Sequence, residues 1–173
     1  MLVGIMMGQR TPGVTIAQAR AFEERINQHY VDHLVGARWQ YYGVYQVDGF
    51  VPGAFGEILL AEGDDLEDAL RRDKENDADL PEDVAAFYRE CSGMFWQRGS
   101  IGKLWRVMDE PPPRNISLRI TFGDGTFEIE PTETEPEVPV DVVPEDAPRV
   151  EGAPAAGTVV TFHPFVMAPL PSS

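Results

Sequence analysis

Of the 173 residues, 29 are acidic and 14 are Lys or Arg, giving a formal net charge of −15 at pH 7. Such a surface repels nucleic acid and anionic membrane, so neither is expected as a partner. With 43% hydrophobic and 25% charged residues the chain has an ordinary globular composition. Its length fits one domain able to bury roughly 70% of its unfolded surface. A single cysteine, Cys91, rules out an internal disulfide framework and fits a reducing compartment. No charged segment followed by an apolar run opens the chain, and no apolar run reaches the length of a membrane span. The expectation is a soluble, cytoplasmic protein.

In chain order, LVGIMMGQ (2–9) is a short apolar run suited to a buried strand. After the turn TPG, Thr15 is placed to cap a helix on which Ile16, Ala19, Phe22, Ile26, Tyr30 and His33-Leu34 recur at spacings of three and four. Gly36 is a natural C′ residue for it. RWQYYGVYQVDG (38–49) is rich in aromatic and β-branched residues and closes on Asp48-Gly49, and AFGEILLA (54–61) follows as another strand. Asp64, Asp65 and Glu67 gather where a second helix begins. That helix breaks around Asn76–Leu80 and restarts at Pro81, with Val84, Phe87, Tyr88 and Cys91 inward. SIGKLWRVM (100–108) reads as a strand. The order β-α-β-β-α-β predicts an α+β, ferredoxin-like unit over residues 1–110.

Residues 111–173 differ in kind. They hold 12 of the 15 prolines and ten acidic residues against three arginines. ISLRITF and TFEIE flank Gly123-Asp124-Gly125, a hairpin signal. The stretch 131–156 is proline- and acid-rich and predicts irregular structure, and GTVVTFHPFVM (157–167) predicts a final strand. This segment reads as an arm packed on its own or a partner subunit.

A carboxylate in the middle of AFGEILLA poses the main chemical question, because a buried charge is costly unless paired or solvated. Alternation along the strands gives two lists. Tyr42, Val44, Ile58, Leu60, Leu104 and Met108 suit the side covered by helices. Trp39, Tyr41, Tyr45, Phe55, Glu57, Leu59, Lys103 and Trp105 form an aromatic face with one acid and one base. A four-stranded sheet with helices on one side must cover the other, and two such sheets do so by pairing into a dimeric barrel. Glu57 is therefore expected in an aromatic-lined cavity, between sheet and arm or between subunits. Two readings stand there: a structural Glu57–Lys103 ion pair, or a general acid/base raised in pKa by desolvation.

His29 and His33 are four apart on one helical face, a spacing shared with helical metal ligands, but the glutamate of HExxH is missing and His163 reaches them only if the arm folds back. No metal site is expected. His29, with Asp32 beside it, is a candidate proton shuttle. Cys91 reads as a small core residue. There is no GxxxxGK[ST], no GxGxxG after a strand and no GxSxG, so nucleotide-dependent chemistry and a nucleophile elbow are not expected.

The opening MMGQRTPGVTIAQARAFEERINQHYVDHL resembles the EthD-like branch of the dimeric α+β barrel superfamily, in which an apolar strand leads through a basic-Pro-Gly turn into an amphipathic helix ending near a histidine. The resemblance covers residues 1–110 in layout. It implies a homodimer, a small-molecule pocket inside the barrel and catalysis without a bound cofactor, as in polyketide cyclases, anthrone-type monooxygenases and muconolactone isomerases. The resulting expectation is acid–base chemistry on an apolar aromatic or polyketide-like substrate. Glu57 or His29 would move the proton and Lys103 or Arg38 would stabilise negative charge, while Trp39, Tyr41, Tyr45, Phe55 and Trp105 shape the cavity. The alternatives are a non-catalytic ligand-binding or subunit-interaction protein, and a haem-dependent barrel using His29 or His33.

Overall fold

The structure, a computed structural model, describes residues 1–33, 39–78, 82–91, 93–94 and 100–168. Ten elements follow one another: β1 (Leu2–Gln9), α1 (Ile16–His33), β2 (Trp39–Asp48), β3 (Ala54–Ala61), α2 (Leu66–Ala78), α3 (Glu82–Cys91), β4 (Ser100–Val107), β5 (Ser117–Phe122), β6 (Phe127–Thr132) and β7 (Val159–Met167). The seven strands form one sheet in the order β4-β1-β3-β2-β7-β5-β6, and every pairing is antiparallel.

The local signals act as their chemistry requires. The Thr15 hydroxyl accepts the Gln18 amide at 3.1 Å, and the Gln18 side chain accepts the Thr15 amide at 2.9 Å, a reciprocal cap for α1. The Asp65 carboxylate accepts the amides of Glu67 at 2.9 Å and Asp68 at 3.1 Å, so the acid expected near the second helix is its cap. α2 runs on through Ala78, so the break expected around Asn76–Leu80 does not begin at Asn76. Residues 79–81, the helix end near Gly36 and the side chains of Val84, Phe87, Tyr88 and Cys91 lie outside the described residues.

The C-terminal arm completes the sheet of its own chain. β7 pairs with β2, with Gln46 opposite His163 and Val47 opposite Phe162, and β5 then pairs with β7, with Leu118 opposite Phe162. Proline cannot donate to a ladder, so a central strand tolerates it only at an irregularity. Pro164 of β7 sits at one: the β2–β7 register shifts between Val44 and Tyr45, which face Val166 and Pro164. Phe165 is the residue skipped.

The sheet curls until its two edge strands meet. Arg106 of β4 donates to the Phe127 carbonyl of β6 at 2.8 Å and pairs with Glu128. The interior so enclosed is filled by Val3, Ile5, Met7, Ile58 and Leu60 of β1 and β3, against Leu118, Ile120, Phe122, Phe127 and Phe162 of the arm. The outer face of β1 and β3 lies under α1, where Leu2, Phe55, Leu59, Ala61 and Trp105 surround Ala19 and Phe22.

This inverts the expected sides. Ile58, Leu60, Leu104 and Met108 do share a face, and Phe55, Leu59 and Trp105 share the other, but α1 covers the second set and the arm covers the first. The wholly apolar set takes the driest place available, which is the interior. The set interrupted by a carboxylate takes the face where a helix leaves gaps. In β2 the register shift between Tyr41 and Gly43 puts both Tyr42 and Tyr45 inside, while Val44 faces the helix.

Candidate functional site

Glu57 answers first. It stands opposite Met6 on one neighbour and Val44 on the other, both part of the cluster beneath α1. It is half-buried, on the outer face of the barrel. The space between sheet and arm holds a core of buried apolar side chains on the other side of the strand, and Glu57 faces away from it. Tyr45, also expected in a cavity, is wholly buried in that core, its ring 5.5 Å from Phe162. Trp105 is buried beside α1. The side chains of His29, Trp39, Tyr41 and Lys103, and all of Arg38, lie outside the described residues. Of the expected set, Phe55 and Tyr45 are the described residues that line an open space, Tyr45 with its ring turned into the core.

That space is a cleft of ≈ 250 Å³ on the outer face of the sheet, between the start of α1 and the segment 137–140. Val44, Phe55 and Phe165 form its apolar part, and the β2–β3 turn closes one end with Phe50. The bulge that accommodates Pro164 carries Phe165 onto this face, where the Arg20 guanidinium lies 4.2 Å above its ring. Ile16 and Ala19 of α1 supply one wall, and Val138 and Val140 of the arm supply the other.

Polar groups hold the arm wall in place. Arg10 is 6% exposed and donates to the carbonyls of Val14 (2.8 Å), Asp141 (2.7 Å) and Val140. Burial lowers its pKa from the ordinary guanidinium value, and the nearby Asp141 carboxylate opposes that shift. Beside it, Gln9 donates to the carbonyls of Pro52 (2.7 Å) and Pro148 (2.9 Å). Val143 presses onto Gly53 so closely that a Cβ there would come within 2.2 Å of it. Of the irregular stretch expected at 131–156, Pro131 and Thr132 end β6 and the rest is clasped to the barrel without forming a strand.

At the same wall stands a carboxylate–imidazole–hydroxyl chain. Asp48 Oδ1 accepts Gln46 Nε2 at 2.9 Å and Oδ2 accepts the Glu137 amide at 2.7 Å. The same Oδ2 lies 3.0 Å from His163 Nε2, which makes no hydrogen bond among the described residues. On the far side of the ring, His163 Nδ1 is 2.6 Å from Ser117 Oγ. The His163 side chain is 5% exposed and that of Asp48 12%, with Asp48 on the cleft side. Sequence reasoning did not assemble this group, because its members lie on β2, β5 and β7 and meet only through the arm's return. The available signal was a lone histidine in the otherwise apolar strand 157–167.

Among the described residues no group of three or more His, Cys, Asp or Glu side chains is placed to hold a metal ion. No helix among them is long and apolar enough to cross a membrane. The class that fold and site define is an α+β protein with an antiparallel seven-stranded sheet and an external cleft. No family model matches the chain, and no match was found among curated proteins or solved structures.

Proposed function

We propose that this chain binds a small, largely apolar molecule in the cleft between α1 and residues 137–140. The observation that carries this reading is an open cleft in which Ile16, Phe50 and Phe165 are half-buried and Val138 and Val140 exposed, above a floor of buried Val44 and Phe55. Apolar groups left beside a void lose both contacts and burial, so a ligand that covers them gains what packing has not used. The cleft is slightly smaller than the roughly 300–1,000 Å³ of drug-sized sites, which favours a ligand of one or two rings. The test is an NMR fragment screen. Binding fragments should shift the amides of Val44, Phe55 and Phe165, and Ile16→Trp, which fills the rim, should abolish those shifts. If fragments perturb only other surfaces, the reading fails.

A second reading adds chemistry. Asp48, backed by His163 and Ser117, is placed to exchange a proton with a molecule in the cleft. Acid–base catalysis on an apolar substrate, of the cyclase, isomerase or dehydratase kind, is then moved from Glu57 to this wall. Once a ligand is found, His163→Gln separates the readings: turnover falls with affinity retained for an enzyme, whereas a binder has no turnover to lose.

The strand order β4-β1-β3-β2, with helices after β1 and β3, supports a ferredoxin-like unit over residues 1–110 and the EthD-like layout. A homodimer built by pairing two such sheets is less favoured, because the chain's own β5–β7 cover the face a partner would need. Light scattering on the purified protein decides that point.

A further inference from the structure

The cleft's charges identify the kind of molecule it selects. Among the described residues that line it, Asp48 and Glu137 carry carboxylates and Arg10 is the sole cation. Arg10 cannot serve an anionic ligand well, since its guanidinium donates to the three carbonyls of Val14, Asp141 and Val140 and is 6% exposed. Gln46 likewise spends its amide group on Asp48 Oδ1 and on the Glu137 carbonyl at 3.0 Å. The strong donors are therefore occupied within the protein, while the Glu137 carboxylate is exposed at the rim and Asp48, whose oxygens already accept Gln46 Nε2 and the Glu137 amide, keeps further lone pairs toward the apolar space.

We propose that the ligand is a small amphipathic cation, an aliphatic or aryl-alkyl amine, whose ammonium group is held at Asp48 and Glu137 while its apolar body lies on Phe55, Phe165 and Val44. This rests on the ligand-binding reading of the same cleft and specifies its chemistry. Three physical effects converge. A carboxylate at a partly desolvated wall attracts an ammonium more strongly than it would in bulk water. The half-buried Phe50 in the lining favours a nearby cation over an anion, whereas the ring of Phe165 already carries the Arg20 guanidinium. The net charge of −15 concentrates cations near the surface and repels anions. A carboxylate-bearing ligand of the same shape meets the opposite of each effect, and a neutral one gains only the apolar contact.

The test uses three molecules that share one apolar body: 4-phenylbutylamine, 4-phenylbutan-1-ol and 4-phenylbutyrate, titrated into the full chain at pH 7 and followed by amide shifts of Val44, Phe55 and Phe165. The amine should bind at least tenfold more tightly than the alcohol, and the carboxylate most weakly. Asp48→Asn keeps an oxygen for the Glu137 amide and should reduce the amine's advantage over the alcohol to less than threefold. Glu137→Gln, a substitution on an exposed side chain, should reduce it in the same direction if Asp48→Asn fails to fold. Binding of the alcohol as tightly as the amine overturns the charge inference and leaves the cleft reading standing. Failure of all three to shift those amides at millimolar concentration overturns both.

Discussion

Arg106 on β4 donates to the carbonyl of Phe127 on β6 at 2.8 Å, joining the two edge strands of a seven-stranded sheet through one side chain. The residues are 21 apart in sequence and at opposite ends of the strand order. Edge strands expose unpaired backbone groups and invite association, and here the Arg106 side chain covers one such carbonyl without a β4–β6 ladder among the described residues. The Arg106 side chain is 32% exposed, whereas its ion-pair partner Glu128 is 65% exposed.

Arg106→Ala should therefore cost about 1.5–3 kcal/mol, the worth of a charged donor on a carbonyl. Glu128→Gln should cost under about 0.5 kcal/mol, because exposed pairs contribute little. Urea melts of both variants check the difference. Equal losses would assign the closure to the ion pair instead of the carbonyl bond.

Gly56 measures how tightly the interior is filled. A Cβ at this position would meet the Phe162 ring at 2.4 Å, and Phe162 is fully buried. Gly56→Ala should destabilise by about 1–3 kcal/mol through overpacking. Combining it with Phe162→Leu should recover part of the loss, since the two sites share the same space. Additive losses in the double-mutant cycle would contradict the contact.

Most elements were legible in the sequence because their signals are local. The Thr15 and Asp65 caps, the Gly123–Gly125 turn and the apolar run 157–167 each depend on residues close in the chain. The side of the sheet was not legible. Alternation correctly joins Phe55, Leu59 and Trp105, but which set faces a helix depends on what else the chain supplies, and β5–β7 supply a second cover. The two tyrosines of β2 show a further limit: the shift between Tyr41 and Gly43 places Tyr42 and Tyr45 on one face, which strict period-two reading forbids. The cleft's chemistry was least accessible, since Asp48, Ser117 and His163 meet only after two long-range pairings.

Arg10 is the clasp of the arm wall, so its loss should free residues 137–142 before it unfolds the barrel. Arg10→Lys keeps the charge but replaces a planar fork with a single ammonium that cannot reach all three carbonyls. The expected cost is about 1.5–3 kcal/mol, with faster proteolytic cleavage in the 137–142 segment under native conditions. Cleavage rates equal to those of the unaltered protein would show that Val143 and Gln9 hold the segment without it.

Tyr45 links the core to pH. Its hydroxyl is buried with no hydrogen-bond partner among the described residues, and its pKa is raised above the ordinary phenol value, first by burial and next by the neighbouring Tyr42, with Arg114 opposing. Tyr42 is also raised, again mainly by burial. A group whose pKa is higher folded than unfolded contributes fully below the unfolded value, near 10 for tyrosine, and its contribution is lost as pH rises from there toward the folded value. Stability should therefore be insensitive to these two groups at neutral pH and should fall above about pH 10. Tyr45→Phe removes an unsatisfied hydroxyl with almost no change of shape, so at pH 7 it should be neutral or stabilising by up to about 1–3 kcal/mol. It should also flatten the alkaline decline, leaving the part due to Tyr42. Thermal melts from pH 7 to 11, paired with phenolate absorbance of the folded protein, measure both effects. A variant less stable at pH 7, or one with an unchanged alkaline limb, would mean that the Tyr45 hydroxyl has a partner and that its burial does not set the pH response.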